Sequence, residues 1–228
     1  MLSDLQQQIL ARLEHSGIPA PNDEQLGKHA LYLSLLTKWT RTINLTALKL
    51  DPPSDEAIDR LLVEPIASSR FVSQPALTTV SIIDIGTGGG SPAIPFWIQV
   101  PGAQLTMIES RSRKCAFLRE AVRQIGPGRG SAFDLRFEDV LEKHPQLSQS
   151  ADIVTLRAVR LDDPTVALIG ALLKEGGRAF RLTSNEEARV PAGVEVLDVH
   201  PLVKGTSSIL QILRCSTWNN SRDDRSSS

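Results

Sequence analysis

Ser81-Ile-Ile-Asp-Ile-Gly-Thr-Gly-Gly-Gly-Ser-Pro92 is a β-branched apolar run that ends in a cluster of glycines. The apolar run predicts a buried parallel strand with Asp84 at its carboxyl end. The glycines that follow are Gly86, Gly88, Gly89 and Gly90. They remove every Cβ where the chain must turn and where a ligand can approach the backbone. Ser91-Pro92 then predicts a helix start, with serine as the N-cap and proline in the first turn. A strand, glycine turn and helix in this order predict a cradle for a nucleotide-type cofactor.

Strand and helix patterns alternate along the chain after this segment. Further strands are predicted at Leu105–Ile108, Ala132–Phe137, Asp152–Leu156, Arg178–Leu182, Val194–Val199 and Ile209–Leu213, and helices at 112–125 and 163–174. Repeated βαβ units predict an α/β fold, a doubly wound, mostly parallel, seven-stranded Rossmann-like sheet. The last two strands follow each other without a helix, so one antiparallel edge strand is expected.

The first 75 residues carry helical patterns and no strand pattern. A helix over residues 3–15 is followed by a second helix that starts at Asn22, with Gln25 completing a capping box. A third helix is expected after Ser54, kinked or ended by Pro65. We therefore expect an N-terminal helical cap over residues 1–75, a cofactor-binding domain over 76–216 and a disordered tail over 217–228.

Composition limits the possible functions. The chain has 228 residues, 41% of them hydrophobic, and a net charge of -1, so the whole molecule is not an electrostatic nucleic-acid binder. Cys115 and Cys215 lack metal-type spacing, and the four histidines form no triad or ligand pattern. There is neither a signal peptide pattern nor an apolar run of about 18 residues. We expect a cytoplasmic monomer without a metal, a membrane contact or an acid–base catalytic residue.

The glycine spacing distinguishes between two cofactors. A dinucleotide site favours G-x-G-x-x-G, but the third position is Ser91 or Ala93 in the two possible frames. Asp84-Ile-Gly86-Thr-Gly88-Gly-Gly90 instead fits the acidic residue and G-x-G-x-G that a fold binding S-adenosylmethionine (SAM) requires. SAM has no pyrophosphate but has an amino-acid end, whose ammonium group Asp84 can orient. The pattern therefore predicts SAM as the cofactor.

Other strand ends supply further candidate residues. Glu109 ends the second predicted strand, where an acid can hold the ribose hydroxyls. Glu138 follows the third strand, and Arg157 ends the fourth. Each has a plainer interpretation: Glu109 as the cap of the next helix, Glu138 as a solvated residue, and Arg157 as part of a structural ion pair.

Several segments together resemble the RsmG (GidB) family of 16S ribosomal RNA guanine-N7 methyltransferases. These segments are Leu36-Thr-Lys-Trp39 through Ile43-Asn-Leu-Thr46, Asp84 through Pro95, Glu109 through Arg119, Arg136-Phe-Glu138 and Val154 through Ala158. The resemblance implies SAM-dependent methyl transfer to N7 of a guanosine in small-subunit rRNA. It implies cofactor-binding roles for Gly86, Ser91, Glu109, Phe137, Glu138 and Arg157, beside Asp84 and Gly88 of the glycine motif. The chain departs from the family pattern at Arg60-Leu-Leu-Val-Glu64 and at Ser207-Ser208, on the side expected to face the acceptor.

The implied chemistry needs no proton transfer. Guanine N7 carries a free lone pair and no proton, so in-line displacement at the SAM methyl group requires alignment and desolvation only. RNA needs local positive charge, and residues 109–136 hold seven basic against three acidic side chains. We expect RNA along the carboxyl edge of the sheet and not across the mildly acidic cap. Two alternatives remain open at this point: a methyltransferase for a small molecule or protein, and a non-catalytic nucleotide-binding module.

Overall fold

A computed structural model describes residues 2–72, 79–184 and 190–215. The predicted tail and the boundary near residue 75 lie outside these ranges. The N-terminal cap contains α1 (Asp4–His15) and α2 (Asp23–Thr40). A third helical stretch combines α3 (Asp55–Ile58), a π-helical segment (Asp59–Val63) and α4 (Glu64–Ser69).

Local capping explains where the cap helices begin. The side chains of Asn22 and Gln25 each accept a hydrogen bond from the other's backbone N–H, which confirms the predicted capping box. Pro65 does not end the third helical stretch, which continues to Ser69. Proline has no N–H for the carbonyl four residues earlier, and its ring crowds that carbonyl. The wider π-helical segment ends at Val63, two residues before Pro65.

The sheet has seven strands in the order β3-β2-β1-β4-β5-β7-β6. The strands are β1 (Ser81–Ile85), β2 (Gln104–Glu109), β3 (Gly130–Asp134), β4 (Ala151–Arg157), β5 (Leu173–Thr183), β6 (Val194–Pro201) and β7 (Ile209–Cys215). β1 to β5 are mutually parallel, and β7 is antiparallel to both β5 and β6. The predicted doubly wound, mostly parallel, seven-stranded sheet is confirmed. One strand is antiparallel as expected, but it is not an edge strand: β7 lies between β5 and the edge strand β6.

Four helices connect the strands, namely α5 (Ala93–Gln99), α6 (Ser112–Ile125), α7 (Val140–Lys143) and α8 (Asp163–Leu172). The structure differs from the prediction at two residues that lie next to these helices, Ser91 and Phe137. Ser91 does not cap α5, which begins after Pro92, because the Ser91 hydroxyl donates to the carbonyl of Leu61 (3.0 Å). The third strand ends at Asp134, and Phe137 lies in a 3-10 turn (Phe137–Asp139).

The cap and one face of the sheet share a single buried cluster. It includes Ile9 and Leu36 from the cap, Ile94 from α5, Phe117 from α6 and Phe180 from β5. A second cluster, with Val154 and Ile169, fills the opposite face under α8. The cap therefore covers α5 and α6 and reaches the carboxyl edge of the sheet, where β1 runs into the glycines. Within the described ranges, no helix is long and apolar enough to span a membrane.

Candidate cofactor site

The glycine loop after β1 has a backbone that only glycine adopts easily. Gly86, Gly88 and Gly90 have φ values of 71°, 59° and 93°, in the left-handed region. A Cβ at Gly86 would lie 3.0 Å from Val159 Cγ2 and 3.9 Å from Cζ of Phe137. Gly86 therefore keeps a narrow space open between the loop and the ends of the neighbouring strands.

The cap holds the other side of this loop. The Tyr32 hydroxyl donates to the carbonyl of Gly89 (2.7 Å), and burial raises the pKa of Tyr32. A Cβ at Gly89 would lie 2.9 Å from the carbonyl oxygen of Leu45. The loop after α2 is thus in direct contact with the glycine loop. Sequence reasoning missed Tyr32, because an apolar-face tyrosine in a helix is indistinguishable from an ordinary core residue.

Glu109 links the end of β2 to the glycine loop. Its Oε2 accepts from the backbone N–H of Gly88 (2.8 Å), and its Oε1 accepts from the N–H of Arg111 (2.9 Å). Arg111 is the N-cap residue of α6. The interpretation of Glu109 as the cap of the next helix is thus confirmed, and Glu109 also lies beside the glycine loop. Its role toward ribose hydroxyls remains a prediction.

Asp84 is buried near the carboxyl end of β1, just before the glycine loop. Its Oδ2 accepts from the Thr155 hydroxyl (2.6 Å), whereas its Oδ1 is buried without a hydrogen-bond partner in the described parts of the chain. Burial raises the pKa of Asp84 to about 7, although the Thr155 hydrogen bond opposes the shift. An unpaired buried carboxylate oxygen is costly unless a donor reaches it. A role for Asp84 in binding a cationic group remains a prediction.

Arg157 ends β4, and its side chain reaches the third helical stretch of the cap. Its guanidinium donates to Glu64 Oε2 (2.7 Å), to the backbone carbonyl of Arg60 and, at 3.4 Å, to the Ser91 hydroxyl. Both members of the ion pair are largely buried. Burial lowers the pKa of Arg157 and raises the pKa of Glu64. The interpretation of Arg157 as a structural ion pair is confirmed, and the same side chain also lines the cavity described next.

Two cavities flank the glycine loop. One, of about 340 Å³, is lined by the loop residues 86–89, Ser91, Arg157 and the cap segments 45–48 and 60–61. The other, of about 250 Å³, is lined by Phe137, Glu138, Val159 and the start of α8. Because Phe137 and Val159 are the side chains nearest to Gly86, the two cavities meet at that glycine.

All eight residues predicted to bind the cofactor lie at this edge of the sheet. They are Asp84, Gly86, Gly88, Ser91, Glu109, Phe137, Glu138 and Arg157. Their cofactor-binding roles remain predictions. The sequence analysis missed Arg60, Glu64 and Thr155. Of these, only Thr155 carried a signal, as a polar residue inside a buried parallel strand beside Asp84.

The donor and acceptor groups fit the chemistry of SAM. Carboxylates at Asp84 and Glu109 lie beside the glycine loop, and the cavity at that loop is lined by two arginines, Arg60 and Arg157. Within the described residues there is no group of three or more side chains suited to a metal ion.

Comparison with solved structures places the fold in a known class. The mitomycin 7-O-methyltransferase MmcR matches with a TM-score of 0.53 and 18% identity, covering 94% of this chain and 74% of that chain. A SAM-dependent methyltransferase from Aquifex aeolicus matches with a TM-score of 0.51 and 14% identity, covering 78% of this chain and 96% of that chain. The fold is that of the class I SAM-dependent methyltransferases.

Sequence comparison then identifies the family. The family model GidB, described as rRNA small subunit methyltransferase G, matches residues 25–194. A ribosomal RNA small subunit methyltransferase G from Stenotrophomonas maltophilia is 38% identical over 175 residues, covering 75% of this chain and 76% of the relative. The chain belongs to the rRNA small subunit methyltransferase G family, which confirms the resemblance drawn from the sequence.

Proposed function

We propose that this protein transfers the methyl group of SAM to N7 of a guanosine in the 16S rRNA of the small ribosomal subunit. The observation that carries this proposal is membership of the methyltransferase G family combined with a complete glycine-loop cradle. In keeping with the predictions, we propose that it acts as a cytoplasmic monomer without a metal ion.

The bound cofactor supplies an electrophilic methyl group on a sulfonium. The protein's part is to orient it and to exclude water. Gly86 leaves room for the ligand, Glu109 accepts hydrogen bonds from the ribose hydroxyls, and Asp84 accepts from the ammonium group. Because the Asp84 carboxylate is buried, its interaction with a cation is stronger than it would be in water.

Methylation of N7 requires no general base, since that nitrogen has no proton to lose. Neither of the two cavities is lined by a histidine or cysteine among the described residues. We therefore propose that catalysis rests on alignment of N7 with the methyl group. The desolvated walls that the cap contributes hold the two reactants in place.

Incubation of the protein with SAM carrying a labelled methyl group tests this function. The acceptors are protein-free 16S rRNA and small ribosomal subunits from a strain that lacks the gene. We expect label in RNA, released as 7-methylguanosine on nuclease digestion. Intact SAM binding without label in either acceptor would instead favour a small-molecule or protein acceptor. Tight binding of NAD without binding of SAM in calorimetric titrations would exclude the methyltransferase assignment.

A further inference from the structure

A groove between α2 and α6 lies outside the two cofactor cavities. Its volume is about 570 Å³, larger than either of them. The side chains that line it are Leu35, Lys38, Trp39, Ala116, Arg119, Glu120, Arg123 and Gln124. One wall therefore belongs to the cap, and the other belongs to the helix that follows the second strand.

The groove carries an excess of positive charge. Three cations, Lys38, Arg119 and Arg123, face one carboxylate, Glu120. Arg123 is paired with that carboxylate through two hydrogen bonds of 2.8 Å. Arg119 donates to the backbone carbonyl of Ala132 (3.0 Å), and Lys38 acts on Glu120 through its charge without pairing with it. The lining therefore keeps an excess of two positive charges. Lys38 has no hydrogen bond or ion pair within the described residues. The surface is therefore complementary to phosphate groups.

An aromatic ring lies between these cations. Trp39 is half-buried and contacts Phe117, with the two ring centroids 5.8 Å apart. This contact holds the indole in place while part of it lines the groove. A fixed aromatic ring among cations is the combination with which proteins bind single-stranded nucleic acid, because every base can stack and every phosphate can pair.

The groove adjoins the cofactor site. Leu36 lines the cavity at the glycine loop, while its neighbours on α2, Leu35 and Lys38, line the groove. On α6, Lys114 Nζ lies 4.0 Å from the Cβ position of Gly88. A strand in the groove would thus run beside a base that enters the cofactor cavity.

We propose that this groove binds a single-stranded RNA segment next to the methylated guanosine, with phosphates on Lys38 and Arg119 and a base on Trp39. The proposal rests on the proposed function. It changes the sequence-based expectation that RNA avoids the cap, because the end of α2 brings Lys38 and Trp39 to the basic face of α6.

The double variant Lys38→Gln/Arg119→Gln tests the electrostatic part. Binding to protein-free 16S rRNA is measured by filter retention over a range of salt concentrations, and SAM affinity is measured by calorimetry. The slope of log affinity against log salt is negative, and the loss of two phosphate contacts should make it shallower by about 1.4. Binding should weaken roughly 25-fold at ~0.1 M salt. SAM affinity and the thermal midpoint should stay close to wild type.

The matched control is Arg70→Gln/Arg214→Gln. It also removes two exposed positive charges, from the end of α4 and from β7, away from the groove. We expect its salt slope to equal that of the wild type. A third variant, Trp39→Leu, keeps apolar bulk against Phe117 but removes the stacking ring, so affinity should fall about 5-fold or more at every salt concentration with an unchanged slope.

Equal RNA affinities for the groove variant and the control, with a wild type that methylates rRNA, would overturn the groove proposal alone. A wild type that neither binds nor methylates rRNA would overturn both proposals. A dimer in light scattering that the groove substitutions dissociate, with RNA affinity unchanged, would assign the groove to a second copy of the chain and also overturn the proposal.

Discussion

At the scale of single residues, Gly86 combines an unusual backbone with the closest approach to the ligand space. Its φ is 71°, and a Cβ there would lie 3.0 Å from Val159. We predict that Gly86→Val abolishes SAM binding, because the added side chain fills the space between the two cavities. Calorimetric titration with SAM measures this effect.

Gly102 provides the control for backbone strain. It has a φ of 78° and no atom within 4 Å of its Cβ position, and it lies in the turn before β2, away from the site. Gly102→Val should lower the thermal midpoint and leave SAM affinity unchanged. If Gly86→Val binds SAM as tightly as Gly102→Val does, the assignment of the SAM site to the glycine loop is wrong.

Asp84 makes SAM binding depend on pH. Burial raises its pKa to about 7, so much of the ligand-free protein carries a neutral carboxyl at neutral pH. A cationic ammonium beside it favours the ionised form, so binding releases a proton. We predict that SAM affinity rises between about pH 6 and about pH 7.5, and that Asp84→Asn loses this dependence. Calorimetry in two buffers of different ionisation enthalpy measures the proton released.

The stability of the ligand-free protein should change in the opposite sense. The folded-state pKa of Asp84 lies above the ordinary value of 3.8. The stabilising contribution of Asp84 to the free energy of unfolding is therefore fully present below about pH 4 and is lost as the pH rises through about 7. Asp84→Asn should flatten this part of the stability curve. Asp51→Asn, which alters an exposed carboxylate, should leave it unchanged. A wild-type curve that rises over this range would contradict the assignment.

Individual residues were predictable where one chemical property decided their position. The glycines, Asp84 and Glu109 could be placed because parallel strands end at a common edge. The partners of Arg157 could not be placed. Glu64 lies 93 positions earlier in the chain, and its approach depends on how the cap docks on the sheet.

At the scale of secondary-structure elements, the Glu64–Arg157 pair joins the third helical stretch of the cap to β4. The two side chains are 11% and 15% exposed. Removal of one partner leaves a buried charge without its counterion. We predict that Glu64→Ala lowers the free energy of unfolding by about 3 kcal/mol. Urea denaturation measures the change.

Two comparisons test whether the buried charge is the cause. Glu56→Ala removes the partner of Arg60 from an exposed pair 3.8 Å apart and should cost less than about 0.5 kcal/mol. The double change Glu64→Met/Arg157→Met should recover much of the loss, since neither charge remains buried. Similar losses for Glu64→Ala and Glu56→Ala would show that the pair contributes little to stability.

Elements were predicted best where local interactions determine them. The helix over residues 112–125 and the capping box at Asn22 agree with the structure because their signals lie within a few residues. Prediction failed where tertiary contacts competed with local preference. The Ser91 hydroxyl bonds to the cap instead of to its own helix, and Phe137 turns away from β3 toward the glycine loop.

At the scale of the whole molecule, the cap and the sheet depend on each other. The cap contributes Tyr32 to the glycine loop, and Gln25 donates from the cap to the carbonyl of Ile98 in α5 (3.2 Å). Their apolar residues form one cluster. We predict that the cap and the sheet domain unfold in a single transition, although the sequence analysis divides them into two segments.

The tryptophans make this prediction measurable. Trp39 reports on the cap, and Trp97 reports on α5 under the sheet. Variants that retain only Trp39 or only Trp97, with Trp218 also replaced, should each show the same urea midpoint by tryptophan fluorescence as by far-UV circular dichroism. An earlier transition for Trp39 than for Trp97 would mean that the cap folds as an independent domain.

The amino-acid sequence by itself determined the doubly wound, mostly parallel sheet, the cradle after β1 and its preference for SAM. Those features follow from periodicity and from glycines, whose effects are local or common to all parallel sheets. Only the tertiary structure decided what closes the site. Tyr32, Leu45 and Glu64 reach the glycine loop and Arg157 because the cap packs over α5 and α6, and this long-range docking depends on buried shape that no local pattern records. The same docking creates the groove at Trp39.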